Sequence, residues 1–212
     1  MTQPAGRCPN CGAPITFQWS SAVQTVCAYC QSVVVRHDVN LAALGKVADL
    51  PDDASPIQVG TEGRVDNQAF TVTGRIVYEY EDGGWNEWHL AFSDGSSGWL
   101  SDAQAEYAVS RLYSGPPIKL PPADRIERGG SLLLSGTRYQ VTTITRARYK
   151  GVDGELPFEY FGKDTIPFID LRGTGGLFAT VDYSEQPPLV YTGRFVEYDE
   201  LSLRNVRTFE GW

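Results

Sequence analysis

Methionine occurs once and histidine twice in 212 residues, and basic side chains are outnumbered, 18 Lys+Arg against 26 Asp+Glu. Each shortage closes off a class of function. The net charge of −8 leaves no basic patch to displace counterions from a phosphate backbone, so nucleic acid is not an expected partner. The same deficit disfavours a helical anchor on an anionic membrane. No apolar run approaches the roughly 18 residues of a spanning helix. Met1 to Arg7 reach Cys8 with no apolar core of the kind a secretory leader carries, which makes cytoplasmic the expected compartment. Only His37 and His89 are available as imidazoles, and neither a G-x-S-x-G elbow nor a P-loop occurs. The expectation is therefore no catalytic residue and a protein that is not an enzyme.

Cysteine is scarce too, but its four copies are gathered: Cys8-Pro9-Asn10-Cys11-Gly12, then Cys27-Ala28-Tyr29-Cys30-Gln31. This C-x2-C-x15-C-x2-C spacing lets two tight turns aim four sulfurs at one cation. Two disulfides would suit an oxidising compartment, and a redox-active C-x-x-C needs only one pair; neither fits as well. The expected cofactor is one structural zinc, with Cys8, Cys11, Cys27 and Cys30 as a closed ligand set. A segment as short as 1–36 cannot bury enough apolar surface alone, so metal binding and folding of this ribbon should be one event.

Residues 37–56 read as a connector. Leu41, Leu44 and Val47/Ala48 recur at helical spacing, which predicts a short helix capped by Asp38 or Asn40 and limited by Gly45 and Pro51. From Ile57 on, 57–212 is strand-rich, with Gly and aromatic residues at turns and cores. Gln68 to Tyr80 form one strand ending in an Asp82-Gly83-Gly84 turn, followed by Trp88 to Phe92 and a turn through Asp94-Gly95. A constant offset of 69 aligns Ile57 with Ile126, Gly60 with Gly129, Val65 with Leu134, Phe70 with Tyr139 and Val72 with Val141. A slightly larger offset aligns Leu90-Ala91-Phe92 with Ile169-Asp170-Leu171. The fold class is all-β: a four-cysteine zinc ribbon and a β body of two related barrel-like or sandwich-like halves, about 57–113 and 125–212, joined by the Pro-rich stretch 113–124.

The densest cluster is Trp85-Asn86-Glu87-Trp88-His89, continued by Asp102 and Glu106. It can be an acid/base site among aromatics, a binding surface, or core. Alternation along a strand puts Trp88 in phase with Leu90 and Phe92, hence in the core, and Trp85 beside Glu87 on the surface. Trp85, Asn86, Glu87 and His89 are the candidate binding residues. Gly173 to Gly176 are expected to form a hairpin turn, and Phe158 to Gly162 a half-buried strand.

Together, the Cys-Pro-Asn-Cys-Gly … Cys-x-Tyr-Cys ribbon, Tyr78 to Trp88, and the Gly98-Trp99-Leu100-Ser101 … Ala103-Gln104 … Glu106-Tyr107 block resemble the bacterial domain-of-unknown-function 4178 family, from Cys8 to about Trp212. Ala105 departs from an expected Gly, and Gly84 from a frequent aromatic. The resemblance implies no established activity. It implies an accessory or scaffold protein docking a protein partner, in the company of membrane-stress coiled-coil proteins, small membrane proteins and polyamine-synthesis enzymes, with any membrane association peripheral and through that partner. The rival is a small-molecule-binding protein or weak enzyme using Trp85, Glu87, Trp88 and His89. A concave pocket lined by Glu87 and His89 would favour the rival; oligomeric state is left open.

Overall fold

Apolar residues in the body recur with period two on some strands and fill both faces of others, which demands cover on both sides of the sheet. The computed structural model describes residues 5–37, 40–46, 54–159 and 164–209. It is all-β. Among the described residues, no helix is long and apolar enough to cross a membrane.

In the ribbon, β1 (Ala5–Arg7) pairs with β2 (Pro14–Thr16), and β3 (Gln24–Val26), β4 (Ser32–His37) and β5 (Asn40–Lys46) form a three-stranded antiparallel sheet in that order. The helix expected over the connector is instead strand β5, paired to β4 from His37↔Asn40 to Ser32↔Lys46. The three-residue spacing of Leu41 and Leu44, which marks one face of a helix, here serves two faces of a strand. Leu41 packs into the ribbon core and Leu44 into the core shared with the body. A helix of two turns interrupted by Gly45 has little stability of its own, whereas pairing satisfies the edge of β4. Asp38, Val47, Ala48 and Pro51 lie outside the described residues.

The body strands are β6 (Glu62–Val65), β7 (Gln68–Tyr80), β8 (Gly83–Phe92), β9 (Ser97–Ala103), β10 (Glu106–Leu112), β11 (Ser131–Leu134), β12 (Thr137–Gly154), β13 (Thr165–Arg172), β14 (Leu177–Asp182) and β15 (Leu189–Val196). They make one antiparallel sheet in the order β11-β12-β13-β14-β15-β10-β9-β8-β7-β6. Strand β12 is long enough to serve twice. Gln140 to Arg148 pair with β13, and Arg148 to Gly154 pair with β7. That second pairing closes β7-β8-β9-β10-β15-β14-β13-β12 into a barrel, leaving β6 and β11 as flaps on its rim. Both seams need a glycine. A Cβ on Gly193 would stand 1.9 Å from the Val109 carbonyl oxygen at β10–β15, and one on Gly74 would stand 2.2 Å from that of Glu155 beside β7–β12.

The offset of 69 recurs in the hydrogen bonding. Gly60 N–H donates to Val72 O at 2.8 Å and Gly129 N–H to Val141 O at 2.9 Å; Val72 N–H donates to Thr61 O and Val141 N–H to Gly130 O, both at 2.8 Å. Bulges fall at Val72/Gly74 and at Val141/Thr143. Past the bulges, Val72 faces Leu90 and Val141 faces Leu171. The counterpart of Leu90 is thus Leu171 rather than Ile169, because β7 turns directly into β8 while β12 runs on before β13.

Three cores result. On the outer face, Phe70, Val72, Trp88, Leu90, Phe92, Leu100 and Val109 are covered by Ile57 and Leu201. The second outer core, around Val141, Ile169, Leu171 and Val181, is covered by Tyr113, Ile118 and Leu120 of the Pro-rich joint. A third joins body and ribbon: Ile76, Tyr78, Trp99, Val152, Leu156 and Phe168 pack with Val33 of β4 and with Val26 and Leu44.

Candidate functional site

Two sites emerge from this architecture, one in the ribbon and one inside the barrel. In the ribbon, each C-x-x-C closes a turn: Gly12 N–H donates to Cys8 O at 2.8 Å and Gln31 N–H to Cys27 O at 2.9 Å. The residue after each pair has positive φ, 75° at Gly12 and 57° at Gln31. The four sulfurs lie within 4.8 Å of one another, with Cys8–Cys30 at 3.7 Å and Cys11–Cys27 at 3.8 Å. A tetrahedral ion with bonds of about 2.3 Å to sulfur requires sulfur–sulfur distances of about 3.8 Å. The donor set therefore fits one metal ion. Cys8 and Cys27 are buried and Cys11 is exposed.

The ribbon is seated on the barrel by polar as well as apolar contacts. Glu155, buried at the end of β12, accepts hydrogen bonds from the N–H groups of Gln18 and Trp19. Gln24 and Leu156 form an antiparallel bridge. Burial pushes the Glu155 carboxyl up, and those two N–H donors draw it back down.

Inside the barrel lies a cavity of about 1290 Å³, to which all eight closing strands contribute side chains. Its aromatic wall is Trp85 stacked on Tyr78 (centroids 4.9 Å, planes 20° apart), with the edge of Phe168 5.4 Å from Trp85. Glu87, Asp170 and Asp182 enter from β8, β13 and β14, among Ser101, Ser110, Thr143, Thr145 and Thr180. Glu87 accepts from Trp85 Nε1 at 3.0 Å and from Ser101 Oγ at 2.9 Å. Burial, opposed by these hydrogen bonds, pushes its carboxyl up to about 8. Glu87 is half-buried and lines the cavity. Asp170 is pushed up to about 6 and Asp182 is also raised, both chiefly by burial. Exposed Gln104, Glu106, Arg128 and Arg172 belong to the rim.

The strand separates the expected cluster into different environments. Trp88 is in the outer core, 1% exposed. Trp85 shares a face with Glu87, yet that face is the barrel's inside, so Trp85 is half-buried in the cavity wall and not on the outer surface. The sequence could not reveal that the second half closes over this face. Asn86 points the other way, its Oδ1 accepting from Arg75 Nε (2.9 Å) and Nη2 (2.7 Å). His89 is fully buried between Trp19 of the ribbon and Trp99, at 4.7 and 5.0 Å, with Nδ1 2.7 Å from Thr73 Oγ1. It does not line the cavity. Burial lowers its imidazole to about 4, so it is neutral at pH 7. Asp102 is buried on the outer-core side with Ser55 and Trp88, and Glu106 forms a rim ion pair with Arg172.

Asp170 and Asp182 were not among the expected site residues. Their signal was present: each is an acid inside an apolar strand, Phe168-Ile169-Asp170-Leu171 and Ala179-Thr180-Val181-Asp182. Gly173 to Gly176 do form the β13–β14 turn, with positive φ at Gly175 and Gly176. Phe158 lines the cavity 5.9 Å from Trp99 and is not in a strand; Tyr160 to Gly162 lie outside the described residues.

No curated protein and no solved structure matches the chain. One family model does, described as a domain of unknown function, and it covers residues 58–198, which includes every strand of the closed barrel and excludes the ribbon. With well over half of its length matched, and with the barrel that holds Glu87, Asp170 and Asp182 inside the match, the chain belongs to the DUF4178 family.

Proposed function

We propose that this protein binds a small organic molecule inside the barrel and carries a structural zinc in its ribbon. The observation behind the first part is the cavity itself: an interior of about 1290 Å³, lined from all eight strands by a mixture of aromatic and polar side chains. A barrel with a filled interior needs no such space, and ligand sites have this composition. Docking of a protein partner through Trp85, the scaffold reading, loses its anchor because Trp85 is directed into the cavity. Zinc is favoured by four soft thiolate donors at tetrahedral spacing. The contacts of Val33, Gln18, Trp19 and Gln24 with the barrel support reading ribbon and body as one folding unit.

The test uses 1-aminoanthracene, a neutral apolar fluorophore at pH 7, and the variant Ala108→Phe, which adds a ring to a small buried residue on the cavity wall. Saturable one-to-one binding that quenches tryptophan emission, and that Ala108→Phe abolishes in a protein that still melts cooperatively, is expected. Equal binding by the filled variant, or none by either protein, would overturn the reading.

A further inference from the structure

We infer that the cavity takes an organic cation: an amine or quaternary ammonium group on an apolar body, its charge among Glu87, Asp170 and Asp182 and its skeleton against Trp85, Tyr78 and Phe168. This rests on the cavity being the ligand site and adds the chemical class of the ligand.

Charge balance is the first argument. Glu87 accepts hydrogen bonds from an indole and a hydroxyl, both neutral, and Asp182 accepts from the Ser184 N–H. Among the described residues, no ion pair reaches any of the three carboxylates. Rim Arg172 exerts some attraction on Asp170, but its guanidinium is engaged by Glu106 at 2.5 Å and lies over the Phe195 ring at 4.1 Å. The two other carboxylates add to the burial that raises Glu87. An acid held protonated chiefly by burial, and further by its neighbours' charge, is relieved by any cation that enters.

Geometry separates an organic cation from a metal ion. Among the described residues, only the four cysteines form a group of three or more ligands close enough to share one ion. The cavity carboxylates, spread over β8, β13 and β14, do not converge that tightly. They suit a charge spread over a larger group. Aromatic faces supply the second element of such a site: the Trp85–Tyr78 stack and the Phe168 edge, with Tyr80 at 6.1 Å from Trp85, form a wall where an ammonium group gains cation–π attraction. Anions and phosphates are disfavoured by the same field. The volume, above the roughly 300–1,000 Å³ of ordinary ligand pockets, leaves room for an apolar body beyond the headgroup.

The experiment varies charge on one skeleton. Isothermal titration calorimetry of the whole chain with 4-phenylbutylamine, 4-phenylbutanol and 4-phenylbutyrate at pH 8.5 should show the amine binding at least tenfold tighter than the alcohol, and the carboxylate weakest. At pH 6, where Glu87 holds its proton and the amine remains charged, amine affinity should fall about tenfold while that of the alcohol does not change. Near pH 7, amine binding should release protons, seen as a dependence of the heat on buffer ionisation. Glu87→Gln and Asp170→Asn should remove the preference for the amine and keep binding of the alcohol, which shows that the variants are folded. Amine and alcohol binding equally would overturn the cation inference and leave the cavity reading intact. Tighter binding of 4-phenylbutyrate would do the same. Failure of all three probes and of 1-aminoanthracene would sink both.

Discussion

Replacing Glu87 by glutamine should make the free protein more stable, by an amount that depends on pH. Burial holds this carboxyl at about 8 in the folded chain, against an ordinary value of 4.5. Between those values the folded state keeps a proton that the unfolded state gives up, so stability falls as pH rises from about 4.5 to about 8. At pH 7, ionisation favours the unfolded chain by about 3 kcal/mol, at 1.36 kcal/mol per pH unit. Glu87 is only half-buried, and screening at such a site reduces this to about 2–3 kcal/mol. Glutamine carries no such burden, and its amide can still accept from Trp85 Nε1 and bond Ser101. The gain should be under about 1 kcal/mol at pH 5 and largest above pH 8. At pH 7 it corresponds to roughly 4–12 °C in Tm for a chain of this size. Urea melts of both proteins at pH 5, 6, 7 and 8 measure it. A Glu87→Gln variant less stable than the parent at pH 7, or one whose gain is the same at every pH, would refute the picture of a charge-burdened interior.

Protein purified without chelator should contain one zinc per chain by elemental analysis; well under half an equivalent would count against the ribbon assignment. Cys27→Ser should lower the melting temperature of the whole chain in a single transition, because Val33 and the N–H groups of Gln18 and Trp19 belong to the joint with the body; an unchanged body melt would show that the ribbon folds apart from it. Trp88→Ala should cost about 3–5 kcal/mol, whereas Trp85→Ala, half-buried in the cavity wall, should cost about 1–2 and abolish 1-aminoanthracene binding. Gly193→Ala, forcing a methyl against the Val109 carbonyl, should open the β10–β15 seam and give the largest loss per atom added; a melt within 1 °C of the parent would show that the seam is looser than the pairing indicates.

Local signals carried over into the structure wherever one strand or one turn decides the outcome. The C-x-x-C knuckles, the span of β7 and the opposite faces of Trp85 and Trp88 follow from spacing and period two, and all are present. The matched turns at Gly60 and Gly129 were visible because glycine alone marks a positive φ without a partner elsewhere in the chain. What failed to show was long-range. Period two states that Trp85 and Glu87 share a face, but only the pairing of β12 with β7, at a separation of about 75 residues, makes that face an interior. The spacing of Leu41 and Leu44 was legible as a pattern, and its meaning changed because the ribbon core lies on one side of β5 and the barrel on the other. Asp170 and Asp182 passed as strand residues because their partner in the cavity, Glu87, lies in the other half of the chain.

The manner of closure bears on how the chain is made. Strand β10 finds its outer neighbour in β15, and β7 is completed by the far end of β12, so the first half carries two incomplete edges until the second half arrives. During synthesis, a nascent chain ending anywhere between about residues 112 and 189 therefore presents open, apolar-faced strands to the ribosome's surroundings. The last body strand to emerge is the one that seals the first half. Completion of the barrel is a late, non-local event that no local propensity can hasten, and a stalled or truncated chain is a target for chaperones in a way the finished protein is not.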